Sequence, residues 1–226
     1  MQDTYLITRD RLENYFDRAS RDAWRQLTSN EPVSFIRNLV RKGREKMQEN
    51  ILQNLPKDLN GLRIFDAGCG TGNLSRLLGD RGAEVVGVDI SEGLIEIAKS
   101  RNSENKNLRF FAGDMNEPSF GYFDYIIAMD SLIHYNAEDM VDSLSKFSSR
   151  VNCSIIFTVV PKTPLLNLKL QVGKAFPKSD RSPVVEPVSK GNLINLCNSV
   201  GRNQVRKLSR VKSSFYISES WELKPR

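Results

Sequence analysis

Histidine and cysteine are scarce: the 226 residues hold one histidine, His134, and three cysteines, Cys69, Cys153 and Cys197. The cysteines form no CxxC pair and leave an odd count. That argues against a disulfide scaffold and a zinc site, and for a reducing compartment. Long apolar runs are missing as well. Ile155 to Val160 is the longest, is interrupted by Thr158, and is far too short to span a bilayer. The stretch Met1 to Asp10 has no apolar h-region and does not read as a signal peptide. Proline and glycine are modest at 9 and 14 residues, and no internal repeat or low-complexity tract appears. The expected location is cytoplasmic, with at most peripheral membrane contact.

What is present is an ordinary globular composition, 39% hydrophobic and 27% charged, in a length that fits one domain with a full core. Lysine and arginine exceed aspartate and glutamate by 33 to 27, for a formal charge of +6. That surplus favours anionic partners without choosing among nucleic acid, acidic lipid and an anionic small molecule. The positive charge is spread along the chain and no aromatic-basic RNA motif appears, so nucleic acid is not expected.

Thr8 is placed to N-cap a helix in which Leu12, Tyr15, Phe16, Ala19, Ala23, Trp24 and Leu27 recur at helical spacing. After the Glu31-Pro32 break, Val33, Ile36, Val40, Met47, Ile51 and Leu55 predict a second amphipathic helix, stopped before Pro56. The two read as a helical arm, residues 1–56, appended to a domain over residues 57–226. From Leu62, short apolar runs alternate with helical segments. The runs are Leu62–Ala67, Glu84–Ile90, Leu108–Gly113, Phe123–Met129 and Cys153–Val160; helices fall near Asn73–Asp80, Glu92–Arg101 and Ala137–Arg150. The link from Met115 to Tyr122 is short for a helix and reads as a loop. Strands buried on both faces and separated by helices imply an α/β fold with a mostly parallel sheet and right-handed crossovers.

A proline-containing stretch, 161–188, reads as a lid-like insertion before a helix near Ser189–Val200. Its part from Pro164 to Pro177 is open to three readings: a lid, a membrane-surface contact or a packed helix. Gln204–Val211 and Phe215–Leu223 then alternate well, with Phe215, Ile217 and Trp221 against Ser214, Ser218 and Glu222. They predict an antiparallel hairpin closing the sheet edge.

The chemistry starts at Asp66-Ala67-Gly68-Cys69-Gly70-Thr71-Gly72, where a strand ends and a helix opens. Glycines at alternate positions let the backbone turn sharply and approach a ligand closely. Two features separate this run from the dinucleotide fingerprint G-x-G-x-x-G: the third glycine comes one position earlier, and an acid precedes the first. Asp66 repels a pyrophosphate but not a ligand carrying an amino group. Asp89 ends the next strand, placed to accept hydrogen bonds from ribose hydroxyls. Asp114 follows the third strand beside the same crevice. A lone loop of this kind reads equally as a plain turn or a nicotinamide site; the two further acids are what distinguish it.

This set, Asp66-x-Gly68-x-Gly70-x-Gly72 with Asp89 and Asp114, resembles the class I S-adenosylmethionine-dependent methyltransferases. The resemblance implies a Rossmann-like sheet of seven strands, mostly parallel with an antiparallel C-terminal strand, and S-adenosylmethionine as cofactor. It implies a glycine loop under the methionine part near Gly68 and Gly70, Asp89 on the ribose, and Asp114 facing the adenine amino group. Asp66, Cys69, Gly72, Ile90, Met115, Met129 and Asp130 complete the implied cofactor wall.

A narrower likeness covers nearly the whole chain. Asn14-Tyr15-Phe16-Asp17-Arg18, Trp24-Arg25, Met129-Asp130-Ser131-Leu132-Ile133-His134-Tyr135, Phe157-Thr158-Val159-Val160-Pro161-Lys162-Thr163, Phe176-Pro177, Arg181-Ser182-Pro183 and Phe215-Tyr216-Ile217-Ser218-Glu219 resemble the Mg-protoporphyrin IX O-methyltransferase family. That resemblance implies methyl transfer onto one porphyrin propionate of (bacterio)chlorophyll biosynthesis, giving the monomethyl ester. It also implies supply by the H subunit of magnesium chelatase. The magnesium arrives inside the substrate, so no metal site is expected.

A propionate, with a pKa near that of Glu at about 4.3, is ionised at neutral pH and needs alignment rather than a general base. His134, with Tyr135 as the alternative, is the candidate catalytic group, donating a hydrogen bond that selects the reactive oxygen. The other reading of His134 is a loop histidine that only packs. A flat, apolar, doubly anionic macrocycle needs aromatic walls with cations at the rim. Tyr15, Trp24, Arg21, Arg25, Lys162 and Arg181 are the candidates, while Phe16 is expected to pack. Some family members carry a tyrosine where this chain has Thr28, so a catalytic arm tyrosine is not assumed. Two readings stay open beside this one: the same core acting on another small acid, phenol or quinone, and a non-enzymatic protein that binds the cofactor or nucleic acid.

Overall fold

The computed structural model describes residues 4–19, 21–29, 31–162, 184–201, 204–213 and 215–225. Its sheet is built from the apolar runs. β1 (Arg63–Ala67), β2 (Glu84–Asp89), β3 (Leu108–Ala112), β4 (Phe123–Ala128) and β5 (Val151–Val159) pair in parallel, and β6 (Val205–Lys212) and β7 (Ile217–Leu223) complete the order β3-β2-β1-β4-β5-β7-β6. Successive side chains face opposite ways in a strand. Phe65, Val86, Ile126 and Ile155 therefore enter one core, and their neighbours Ile64, Val85, Ile127 and Ile156 enter the other. Each such side chain taken out of water contributes about 1.5–3 kcal/mol.

Helices cover both faces. α3 (Phe35–Gln53), α4 (Asn73–Gly79) and α5 (Glu92–Arg101) pack on one; α6 (Ala137–Ser148) and α7 (Lys190–Ser199) pack on the other. Four of them start on a side-chain cap: Ser34, Ser91, Asn136 and Ser189 each accept a backbone N–H three residues on, satisfying a donor that the helix leaves open. Met115 to Tyr122 is a loop holding one short 3-10 turn, Pro118–Phe120.

Connections leave β1 and β4 on opposite faces, so the helices part between these neighbours and open a crevice at the strands' carboxyl ends. Every acid singled out in the sequence sits at that end.

Two expectations change. The first helix begins at Thr4, not after Thr8, and it is broken: α1 (Thr4–Asn14) runs into a π turn at Tyr15–Ala19, and α2 (Arg21–Leu27) follows. A π turn adds one residue to the loop of the helix, so apolar spacing looks continuous across it. The second helix keeps its place but spans Phe35–Gln53, with Leu55 buried just beyond it. The terminal hairpin forms as expected and closes the sheet edge, with β6 outermost. β7 lies between β5 and β6, and all of its residues are buried. Its polar face is therefore not solvated. Glu219 pairs with Lys207 and Glu222 with Arg206, both at 2.6 Å, across from β6. Alternation reports which face a side chain takes, not which strand lies beside it. Most of the expected insertion, residues 163–183, lies outside the described residues; at its ends Pro161 bridges Val188.

Candidate active site

The crevice holds a cavity of about 480 Å³, a size suited to a small ligand. β1 runs into Asp66 and Ala67, and the chain turns at Gly68 (φ +81°), where a Cβ would stand 2.3 Å from that of Ser131. Ser131 Oγ donates to Ala67 O at 2.7 Å, tying the end of β4 to the loop. Gly70 (φ +55°) has nothing within 4 Å of its missing Cβ, and its N–H donates to Asp89 Oδ2 at 2.9 Å. Gly72 starts α4 in a left-handed conformation, and a Cβ there would meet Phe110 at 2.9 Å. It shapes the turn without lining the cavity.

The acids are held in different ways. Asp66 is buried and accepts from Ser75 Oγ at 2.6 Å; burial pushes its carboxyl up to about 6. Asp89 also lies above the ordinary carboxylate range through burial, drawn back by the N–H groups of Ser91 and Gly70. Asp114 accepts from Tyr5 Oη at 2.6 Å, from the Asn116 N–H at 2.8 Å and from Arg9 at 3.4 Å. Ile90, Met115, Met129 and Cys69 form walls between them. Burial pushes the Cys69 thiol well up, so it serves as apolar surface rather than as a nucleophile.

At the end of β4, Asp130 adopts φ +55°, uncommon for a residue with a side chain. Four contacts hold it there. Its N–H donates to Thr158 Oγ1 at 2.7 Å, Thr158 Oγ1 donates back to Oδ1 at 3.2 Å, Tyr216 Oη reaches the carboxylate at 3.0 Å, and Arg44 Nη1 pairs with Oδ2 at 2.6 Å. Four residues later, at the end of the 3-10 turn Leu132–His134, His134 is buried with Nδ1 at 2.9 Å from Val184 O. A carbonyl only accepts, so Nδ1 carries the proton. Burial lowers the ring's pKa below its ordinary 6.5, against smaller opposing effects of Val184 and Asp130. The ring is thus neutral at pH 7, and Nε2 is an acceptor. The sequence reading expected a hydrogen-bond donor to a carboxylate there; in this tautomer the Nδ1–H is already committed to Val184 O. Tyr135 stacks on Tyr5 at 4.8 Å, and burial drives its phenol pKa upward.

The arm closes the cavity. Tyr5, Leu12, Phe16 and Trp24 line it, with Phe16 edge-on to both Trp24 (5.5 Å) and His134 (6.3 Å). Asp17, in the π turn, accepts from Ser91 Oγ and the Gly93 N–H, at the start of α5. At the other end of α5, Arg101 donates to the carbonyls of Thr28 (3.1 Å) and Arg25 (2.9 Å). Thr71 of the loop and Asn73 at the start of α4 bond Thr28 as well, at 2.8 and 2.9 Å.

Residues 64–152 match the family model described as a methyltransferase domain, and residues 128–225 match the one described as the magnesium-protoporphyrin IX methyltransferase C-terminus. Along its whole length the chain is 45% identical to the magnesium-protoporphyrin O-methyltransferase of Rhodobacter capsulatus, which it also covers completely. The chain belongs to the magnesium-protoporphyrin O-methyltransferase family. The Synechocystis relative of that name is 31% identical, over 93% of this chain and 94% of its own. The crystal structure of magnesium protoporphyrin IX methyltransferase from Synechocystis with bound SAH superposes at a TM-score of 0.83 and 26% identity. That match covers 96% of this chain and 99% of the other.

Within this magnesium-protoporphyrin O-methyltransferase fold, the expected residues divide. Asp66, Gly68, Cys69, Gly70, Asp89, Ile90, Asp114, Met115, Met129, Asp130, His134, Tyr135 and Trp24 line one cavity. Gly72, Tyr15, Arg25 and Lys162 do not. Tyr15 stands edge-on to Phe16 at 5.1 Å, and Arg25 pairs with Glu31 at 3.0 Å. The π turn rotates the arm's register, so Phe16, expected only to pack, takes the wall position instead. Lys162 is exposed beyond β5. The Arg21 side chain and Arg181 lie outside what is described. Among the described residues no three of His, Cys, Asp and Glu gather to hold a metal ion.

Arg44 and Arg101 were not singled out from the sequence, and Tyr216, Thr158 and Asp17 were named there only inside family-like motifs, without a role in the site. One signal existed for Arg44 and Tyr216: Gly43 sits inside α3, where glycine costs about 1 kcal/mol. A Cβ there would stand 2.6 Å from the Tyr216 ring.

Proposed function

We propose that this chain transfers a methyl group from S-adenosylmethionine to one propionate of Mg-protoporphyrin IX, giving the monomethyl ester, in (bacterio)chlorophyll biosynthesis. The observation that carries this reading is 45% identity along the full length to a magnesium-protoporphyrin O-methyltransferase, in a chain whose loop and strand-end acids share one cavity. S-Adenosylmethionine supplies an electrophilic methyl group on a sulfonium. The donor set suits it: Asp66 offers a carboxylate to the α-ammonium, bare Gly68 and Gly70 admit close approach, Asp89 meets the ribose diol, and Asp114 meets the adenine amino group.

The acceptor needs position more than activation. A propionate is a nucleophile once ionised, but moving it from water into an apolar cavity raises its pKa. His134 Nε2 has the free lone pair that removes a proton picked up there, because Nδ1–H is committed to Val184 O. Phe16 and Trp24 offer flat apolar surface to the macrocycle, and the arm excludes water from the reacting atoms. Supply by the H subunit of magnesium chelatase and peripheral contact with photosynthetic membranes belong to the same reading, on the family resemblance. No described helix is long and apolar enough to cross a membrane.

The test is incubation with S-adenosylmethionine and Mg-protoporphyrin IX, followed by mass analysis of the porphyrin. One added methyl supports the assignment. No product from the porphyrin, with turnover of a phenolic or quinone acceptor instead, overturns it.

A further inference from the structure

Four arginines line the cavity among the described residues: Arg9, Arg41, Arg44 and Arg76. Three are committed elsewhere. Arg9 bonds Asp10 and Asp114. Arg41 donates to the carbonyls of Gln26, Leu27 and Glu31, fastening the end of α2 to α3. Arg76 pairs with Asp80 on the surface.

Arg44 differs. Only Nη1 is engaged, with Asp130 Oδ2 at 2.6 Å; Nε and Nη2 have no hydrogen-bond partner among the described residues. The guanidinium lies over the Trp24 ring at 5.0 Å, a contact that helps to orient it. Its partner Asp130 precedes Ser131, whose side chain abuts Gly68, so Arg44 stands on the glycine-loop side of the cavity, whereas Asp114 is held by Tyr5, Arg9 and Asn116.

Asp130 does not depend on Arg44 alone. Tyr216 and Thr158 also donate to its carboxylate, so the aspartate can share the arginine with a second anion. A planar guanidinium with an Nε–Nη2 edge free matches a carboxylate with two parallel hydrogen bonds. We propose that Arg44 is the carboxylate-binding residue of this cavity, its Nε–Nη2 edge taking either the carboxylate of the cofactor's methionine or a porphyrin propionate. This rests on the function proposed above. Asp130, Tyr216 and Trp24 are positioning residues for it.

The experiment compares the full-length protein with its Arg44→Gln variant on ligands matched for the presence of a carboxylate. S-Adenosylhomocysteine is paired with methylthioadenosine, which keeps the nucleoside and thioether but lacks the amino acid. Mg-protoporphyrin IX is paired with its dimethyl ester. Binding is read by calorimetry and by porphyrin fluorescence. Losing a bidentate, charge-assisted contact weakens binding roughly 10- to 100-fold.

If the methionine is the source, only S-adenosylhomocysteine loses that much and methylthioadenosine is unchanged. If a propionate is the source, only Mg-protoporphyrin loses it and its dimethyl ester does not. Both carboxylate ligands holding within about threefold of the parent protein overturns the proposal, as does an equal loss for the carboxylate-free member of a pair. Arg44→Gln/Asp130→Asn, which removes both charges together, is measured alongside so that an unpaired Asp130 cannot produce the effect. Failure of S-adenosylhomocysteine to bind the parent protein would strike at the functional reading itself, not at Arg44.

Discussion

His134 donates Nδ1–H to the Val184 carbonyl, and burial holds the ring below its ordinary pKa. His134→Ala is therefore expected to lower kcat about 100-fold while S-adenosylhomocysteine affinity measured by calorimetry stays nearly unchanged. Equal losses in both would reject a role in the transfer step. The neutral ring is the useful one, so the rate should hold near pH 7 and decline on the acid side of 6.5. Asp66 carries a second pH dependence. Its folded carboxyl titrates at about 6 against an ordinary 3.8. Between those values the fold keeps a proton that the unfolded chain has shed, so this group's contribution to stability falls as pH rises through the window. Pairing with an ammonium needs the ionised form, so cofactor affinity should rise as pH passes through about 6. Calorimetry from pH 5 to 8 should show that rise, and Asp66→Asn should flatten it. The glycines and strand-end acids were legible because backbone geometry demands glycine and strand ends demand polarity. Arg44 was not, because a cation on an amphipathic helix reads as solvated surface until its partner Asp130, far along the chain, is brought beside it.

The arm shows what an element's packing adds to its sequence. Its periodicity named Leu12, Phe16 and Trp24 as apolar, but the π turn at Tyr15–Ala19 decided which of the aromatics meets the cavity. The turn also places Asp17 on the start of α5, where its carboxylate meets open N–H donors and the positive end of the helix. Asp17→Ala should cost about 1 kcal/mol and, together with Arg101→Ala, release the arm from the core. Limited proteolysis is expected to cut such a double variant within the first thirty or so residues while the remaining domain stays resistant. Cleavage no faster than in the parent protein would show that the arm is held by its apolar face instead. The caps Ser34, Ser91, Asn136 and Ser189 needed no tertiary information, since each bonds within its own first turn.

Across the whole molecule, the alternation of five runs with helices was enough to predict a parallel sheet with its crevice at one end. The position of β7 was not readable, since a hairpin pattern is the same at an edge and inside a sheet. The interior position explains why Trp221, on the core side of β7, is almost completely buried. Trp221→Ala should cost about 3–5 kcal/mol, seen as a lowered urea midpoint, and a change below about 1 kcal/mol would contradict the packing. This strand order also bears on how the chain is made. β5 and β6 leave the ribosome before the strand that joins them, so β5 meanwhile offers a bare row of amide and carbonyl groups to any passing peptide. Newly made copies are then most prone to stick to one another in the seconds before β7 slides home, and a cell expressing this protein quickly would need chaperones most at that moment.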